Sequence, residues 1–414
     1  MQVVRNAVER YRHGLAVLPG AGGSGRRHPR QSPALPAADS EPAPDPGHRA
    51  EHVTWTSPIP LSATDETGTS WQILRAWPYT TPGDYTLEVR APGRPGVRGG
   101  QLRRGKFQLV PRDDPRLPAL RAEAEQGVIV RYMPFKRAVV RAEGSYIKVF
   151  RPGSAAGPAE RCAQMDILLG AGRFITPRIL RRNSQDVIVF SALPGPTLNE
   201  LGEDRMSGDE PFLRAWEKWS QAWVAQLKGP WTPAQQGVLD ILPLRSAEVQ
   251  AADVWHRVNR WLRHNEDAPD LTHTRNAVLA RAEQVTENLL RVPPDPLVWA
   301  HGDLHDKQVI ATAGPSPLGL LDFDGTSRAE AALDLADLDV HLELHLRQGQ
   351  LAPSRYLAAH TQVLAAAEEL QVRPGRFHSY SDAFWLRLAL SPLPGRLDLA
   401  LAVLADRTPA VQNR

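Results

Sequence analysis

Residues 301–325 read HGDLHDKQVIATAGPSPLGLLDFDG. The apolar run PLVWA leads into His301, and Gly302 breaks regularity, so Asp303 falls on a loop and not inside a helix. Five positions after Asp303 stands Gln308. Then come VIAT, a turn at AGPSP, and LGLLDF, the pattern of a β-hairpin ending at Asp322. Such a hairpin carries Asp322 back beside the 301–308 loop, so that the Asp303 and Asp322 carboxylates and the Gln308 amide oxygen converge. Hard cations such as Mg2+ take oxygen ligands at ~2.1 Å, and nucleotide phosphates complete their shell.

The totals narrow the class. The 414 residues are 42% hydrophobic and 23% charged, as expected of a folded chain of two or three domains. A formal charge of +3 is too small to argue for nucleic acid, and no RNA-binding aromatic motif is present. Only six of the 49 basic residues are lysines, so Lys148, inside the strand-like SYIKVF, stands out. A single cysteine, Cys162, excludes an intramolecular disulfide framework and a Cys-cluster zinc site. No apolar run reaches the ~18 residues of a membrane span. The charged start of the chain lacks a secretory h-region, which points to a cytoplasmic protein.

Along the chain, residues 4–17 suit one short amphipathic helix. The Pro-, Gly- and Ser-rich stretch after it cannot bury a core, so residues 1–50 read as a disordered tail and linker. A small β-rich module is expected over 51–115, from the runs VTWTSPIPL, SWQILRAW, YTLEVR and GKFQLV. A second β-rich unit with a hinge spans 116–196: GVIVRY, KRAVVR, a turn at AEGS, YIKVF, a helix through Cys162 and Met165, then ITPRIL and DVIVFSALPG. Residues 197–414 read as helical. Phe212, Trp216, Trp219, Trp223 and Leu227 form one apolar face at three- and four-residue steps. Further helices are expected at 246–264, 275–291, 330–347, 354–371 and 380–404. The three Trp could stack on a sugar, although helical spacing favours a core role.

The loop and hairpin together resemble the aminoglycoside phosphotransferase family of the protein-kinase-like superfamily. Its motif runs His-x-Asp, Asn five positions on, and Asp at the end of the next hairpin strand. The resemblance covers roughly residues 125–400. It implies an α+β, two-lobed protein-kinase-like fold, with a β-rich N-lobe and a helical C-lobe, preceded here by the extra β module. It also implies transfer of the γ-phosphoryl group of ATP or GTP to a hydroxyl of a small molecule: a sugar, aminosugar, aminoglycoside or amino alcohol. In that frame Asp303 is the catalytic base and His301 supports its loop. Asp322, Gln308 and Asp324 hold Mg2+, and Asp334 braces the loop. Lys148 meets the nucleotide phosphates and is held by Glu160, while backbone near Ser191 and Leu193 meets the base. His305 and Asp337 are candidate acceptor contacts, and Asp339 and Glu343 share the helix of Asp337. Gln308 departs from the usual Asn, although HGDLH with a following Gln is similar to maltokinases and glucosamine kinases. No GxGxxG precedes Lys148, and the turn at AEGS is a poor phosphate cradle.

Other readings compete. A catalytically inactive pseudokinase or ligand-binding module fits Gln308 and the missing Gly-rich loop, but Asp303, Asp322 and Lys148 are all present. LGLL followed by DFDGT matches the first motif of haloacid-dehalogenase-like phosphatases. That fold needs a later Lys or Arg and an acidic pair. Here the last lysine is Lys307, upstream; an Arg could substitute, but the remaining sequence reads as helices and not as βα units. A zinc site from His301, His305 and nearby Asp residues has permissive spacing, but Gly302 breaks the helix that would put both His on one face.

Overall fold

The computed structural model describes residues 56–407, apart from 171, 184, 185, 207, 269 and 270. The helix expected over 4–17 and the linker at 18–50 lie outside the described residues. The first sheet is an antiparallel meander of β1 (Ser62–Thr64), β2 (Ser70–Pro78), β3 (Tyr85–Arg90), β4 (Arg98–Arg103) and β5 (Lys106–Leu109). Two details differ from expectation. Residues 56–60 of the first expected strand are not in the sheet, because Pro58 and Pro60 have no N–H to give a ladder. RGGQLR, unexpected as a strand because of its glycines, forms β4. A Cβ on Gly99 would lie 2.7 Å from Tyr132 Cε1, so the glycine permits a close approach to the next sheet.

β3 is buried on both faces. Tyr85, Leu87 and Val89 join Trp71 and Ile73 in the first sheet's core. The alternate Glu88 accepts a hydrogen bond from Tyr132 N at 2.7 Å in the second sheet. Val97 N donates to Ile129 O across the same joint, at 2.9 Å.

After a short α1 (Leu120–Ala124), the second sheet comprises β6 (Val128–Met133), β7 (Arg137–Ala142), β8 (Ser145–Phe150), β10 (Ile179–Arg182) and β11 (Val187–Ser191), ordered β10-β11-β8-β7-β6. α2 (Ala156–Leu168) and the short β9 (Phe174–Ile175) lie between β8 and β10 in sequence. Asp186 accepts from Gly153 N and Ala155 N, at 2.7 and 2.9 Å, and so ties down the entry to α2.

The remainder is helical: α3 (Leu198–Glu203), α4 (Asp209–Lys228), α5 (Pro233–Ile241), α6 (Ala247–His264) and α7 (Thr272–Arg291) precede the hairpin region. α8 (Ala331–Arg347), α9 (Pro353–Glu369), α10 (Pro374–Ala389) and α11 (Arg396–Asp406) follow it. The expected helix at 380–404 is in fact α10 and α11, because Pro392, Pro394 and the left-handed Gly395 (φ 72°) break SPLPG. Trp216, Trp219 and Trp223 are buried together with Trp299, which settles them as core. No described helix is long and apolar enough to cross a membrane.

Small strands knit this part to the candidate site. β12 (Leu244–Arg245) and β13 (Leu297–Ala300) flank β16 (Ser327–Glu330), while β14 (Val309–Ile310) pairs with β15 (Leu318–Leu320), which runs parallel to β9. At the end of β16, the buried Glu330 takes Arg376 Nε at 2.6 Å, a second Arg376 bond, Tyr380 Oη at 2.9 Å and Asp295 N at 2.8 Å. This cluster fixes where α8 starts. Arg376→Met leaves Glu330 as an uncompensated buried charge and should destabilise the fold by about 3–5 kcal/mol in urea unfolding. Adding Glu330→Gln should recover part of that loss. A single variant as stable as the parent contradicts this assignment.

Candidate active site

The residues singled out from 301 to 334 converge, and backbone geometry is the reason. Asp334, in the first turn of the buried α8, accepts from His301 N at 2.6 Å and Gly302 N at 2.8 Å. Gly302 has φ 83°, and a Cβ there would lie 1.9 Å from Gly325 O. The two loops therefore touch backbone to backbone, and only glycine fits. His301 is fully buried, and its Nε2 donates to Leu321 O at 2.8 Å. The hairpin forms with Leu321 N donating to Gln308 O at 2.9 Å. Asp322 follows in the left-handed region (φ 62°, ψ 68°), a conformation Asp tolerates better than most residues.

From the second sheet, Lys148 at the middle of β8 reaches Asp322 Oδ1 at 2.9 Å, the two side chains being 21% and 32% exposed. Burial opposes both charges, but their mutual attraction prevails. Asp322 and Asp324 raise the Lys148 ammonium, and Lys148 and Arg137 bring Asp322 down to about 2. Arg137, at the start of β7, pairs with Asp324. The β6–β7 turn, MPFK, therefore lies on the Asp324 side. The AEGS turn, weighed in the sequence as a phosphate loop, joins β7 to β8 at the other end of these strands. Phe135 N in the MPFK turn is held by Asp114 Oδ2 at 2.9 Å, a restraint with no sequence signal.

The expected Lys148–Glu160 pair is not made. Glu160 is exposed, with Gln164 Nε2 at 3.4 Å, because the next positions around α2 turn inward instead. Cys162 and Asp166 line a cleft of about 550 Å³, with Lys148, Phe190, Leu193 and Gln308 among the other walls. Burial pushes the Cys162 thiol up to about 11, which keeps it protonated at neutral pH. Ser191 and Leu193 do line the cleft, but the N–H groups of Ser191 and Ala192 already bond Arg178 O and Gly144 O, both at 2.9 Å.

Asp303 is 52% exposed, with Arg387 Nη1 3.8 Å away. Arg387 Nη2 also bonds Asp337 at 2.6 Å, so the fully buried Asp337 is an internal ion-pair partner and not an acceptor contact. Asp339 and Glu343 are likewise buried and paired, with His360 and with Arg347 and Arg407. α8 is packed all round, which its regularly spaced acids conceal in the sequence. His305 is also turned inward. Its Nδ1 accepts from Lys307 N at 3.2 Å, and its ring lies 5.0 Å from that of His341. Asp306, on the same turn as Asp303 and given no role from the sequence, is buried between His345 Nδ1 at 3.0 Å and Asn199 Nδ2 at 3.2 Å. Arg387 carried no motif either.

Among the described residues, no group of three His, Cys, Asp or Glu closes on a cation. Asp322 and Gln308 share the cleft and offer oxygen donors only, which fits a hard cation completed by phosphate oxygens.

The model of the phosphotransferase enzyme family (APH) matches residues 147–370. A glucosamine kinase structure aligns at 16% identity over 86% of this chain and 97% of its own, with a TM-score of 0.44. An aminoglycoside phosphotransferase from Streptomyces rimosus aligns at 20% over 64% and 95%, with a TM-score of 0.44. A macrolide 2'-phosphotransferase aligns at 17% over 68% and 94%, with a TM-score of 0.43. A search of curated proteins finds no match.

His305 supplies a pH test. Burial holds it neutral, down to about 4 from 6.5, while Asp303 and Asp306 pull the other way. Between those values the unfolded chain binds the extra proton. Stability is therefore complete above pH 6.5 and falls as pH drops toward 4, by on the order of 3 kcal/mol. His341, held neutral in the same way, adds to the slope. His305→Asn should flatten the unfolding free energy between pH 6.5 and 4. An unchanged slope contradicts the assignment.

Proposed function

Because the chain belongs to the phosphotransferase enzyme family, we propose that it moves the γ-phosphoryl group of ATP or GTP to a hydroxyl of a small molecule. The observation that carries this is the Lys148–Asp322 pair at 2.9 Å, which joins the second sheet to the hairpin end. In this reading the second sheet with α2 is an N-lobe, residues 197–414 are the C-lobe, and the first sheet is an added module. The whole is a cytoplasmic kinase without nucleic-acid or membrane partners.

Each side chain then has a task. Lys148 neutralises nucleotide phosphate charge, and Arg137 adds a second cation on the same side. Asp322, Gln308 and Asp324 would hold Mg2+, which neutralises charge developing on the phosphates. The base rests on Phe190 and Leu193, and hydrogen bonds to it fall to backbone at and beyond Leu193. Asp303 orients the acceptor hydroxyl and accepts its proton. Asp334 holds the loop so that Asp303 does not swing. His301 couples that loop to Asp322 through Leu321 O.

Nucleotide-dependent melting tests the site. A ligand that binds only the folded state at 100 times its Kd adds about 2.7 kcal/mol. ATP or GTP should raise the melting temperature only with Mg2+ present, and Asp322→Asn should remove most of the rise. No shift with either nucleotide contradicts the reading.

A further inference from the structure

Arginines gather near Asp303: Arg387 lies 3.8 Å from it, and the Asp303 charge acts on Arg75. β2 turns Arg75 and Trp77 away from the first sheet's core, and Trp77 is a common wall of two cavities. One, of about 170 Å³, runs from Arg75 and Arg131 to Lys148 and Asp322. The other, of about 220 Å³, lies between β2, α6 and α10 and is edged by Arg257, Arg260 and Arg387. Arg387 links this second cavity to Asp303, 3.8 Å from its guanidinium.

Counter-charge is short around Arg75 and Arg131 and around Arg257 and Arg260, whereas Arg387 has two carboxylates, Asp337 and Asp303. Glu88 serves two guanidiniums, Arg75 at 3.9 Å and Arg131 at 3.4 Å. Asp253 bonds Arg257 at 2.7 Å and also acts on Arg260. Burial and the neighbouring Arg131 hold Arg75 below its ordinary value, as befits a cation crowded by its own kind. Asp337 and Asp322 are committed to Arg387 and Lys148. An amino sugar entering here would meet like charge.

We propose that the acceptor is a hydroxylated small molecule bearing an anionic group, a carboxylate or a phosphate ester, seated by Arg75 and Arg260 with its apolar face on Trp77. This rests on the phosphotransferase reading above. The acceptor oxygen forms the new bond to the γ-phosphorus as the bond to the bridging β–γ oxygen breaks. The hydroxyl proton passes to Asp303, and the nucleoside diphosphate departs. The first sheet thereby becomes a wall of the acceptor site.

The test uses the full chain saturated with ADP and Mg2+, so that the nucleotide cleft is filled. Glucuronate, glucose 6-phosphate, glucose and glucosamine are compared by melting temperature. One or both anionic sugars should add a shift that glucose and glucosamine do not, and which of them acts identifies the carboxylate or the phosphate as the recognised group. The Arg75→Gln/Arg260→Gln double variant should weaken that binding at least 10-fold and keep the ADP shift, which also shows that it folds. Equal or larger shifts with glucose or glucosamine overturn the proposal. So does an anionic shift that survives in the variant, or no sugar shift beside an intact ADP shift. Loss of the ADP shift in the parent protein instead overturns the phosphotransferase reading itself.

Discussion

Everything about this site depends on one ion pair. Lys148 and Asp322, 174 residues apart, meet at 2.9 Å between a sheet strand and a hairpin end. At their partial exposure the pair contributes no more than ~1 kcal/mol to folding. Its value is positional. It sets a cation for phosphate beside a carboxylate for metal, and both face the cleft that ends at Leu193 and Gln308. The left-handed backbone at Asp322 and the inward rotamer of a central-strand lysine have no other evident use.

Two further constraints keep the pair in place. Asp334 binds the two successive N–H groups at His301 and Gly302, and Gly302 lets the loop lie directly on Gly325. Behind them, α8 is largely buried, and its acids beyond Asp334 are matched by bases: Asp337 by Arg387, Asp339 by His360, and Glu343 by Arg347 and Arg407. The Glu330–Arg376–Tyr380 cluster anchors its beginning. The loop that holds Asp303 thus hangs from a rigid, internally neutralised helix. The first sheet reaches the same region from the other side, through Glu88 and Arg75.

The hairpin, the shared cleft of Gln308 and Asp322, and the inward Lys148 were legible because each rests on local pattern: a glycine after a strand, a turn between apolar runs, a rare lysine in a strand. What failed was decided by tertiary packing. Glu160 had a sensible spacing, yet the rotation of α2 offers Cys162 and Asp166 to the cleft instead. Asp337 and His305 sit in suggestive motifs but point inward, Asp337 because its turn of α8 is buried and His305 because its ring packs beside His341 of that helix. Arg387 and Arg75, which edge the space before Asp303, lie on a helix and a strand without motif. Only the folded chain brings them there.

The most direct measurement is transfer of label from γ-labelled ATP, with Mg2+, to a panel of hydroxylated acceptors that includes sugar acids and sugar phosphates. The account predicts a labelled phosphate ester formed in step with ADP, and a fall in kcat of at least ~10²-fold in Asp303→Asn with little change in nucleotide binding. Nucleotide binding without transfer to any acceptor, or transfer that survives in Asp303→Asn, would contradict it and favour a binding module in place of an enzyme.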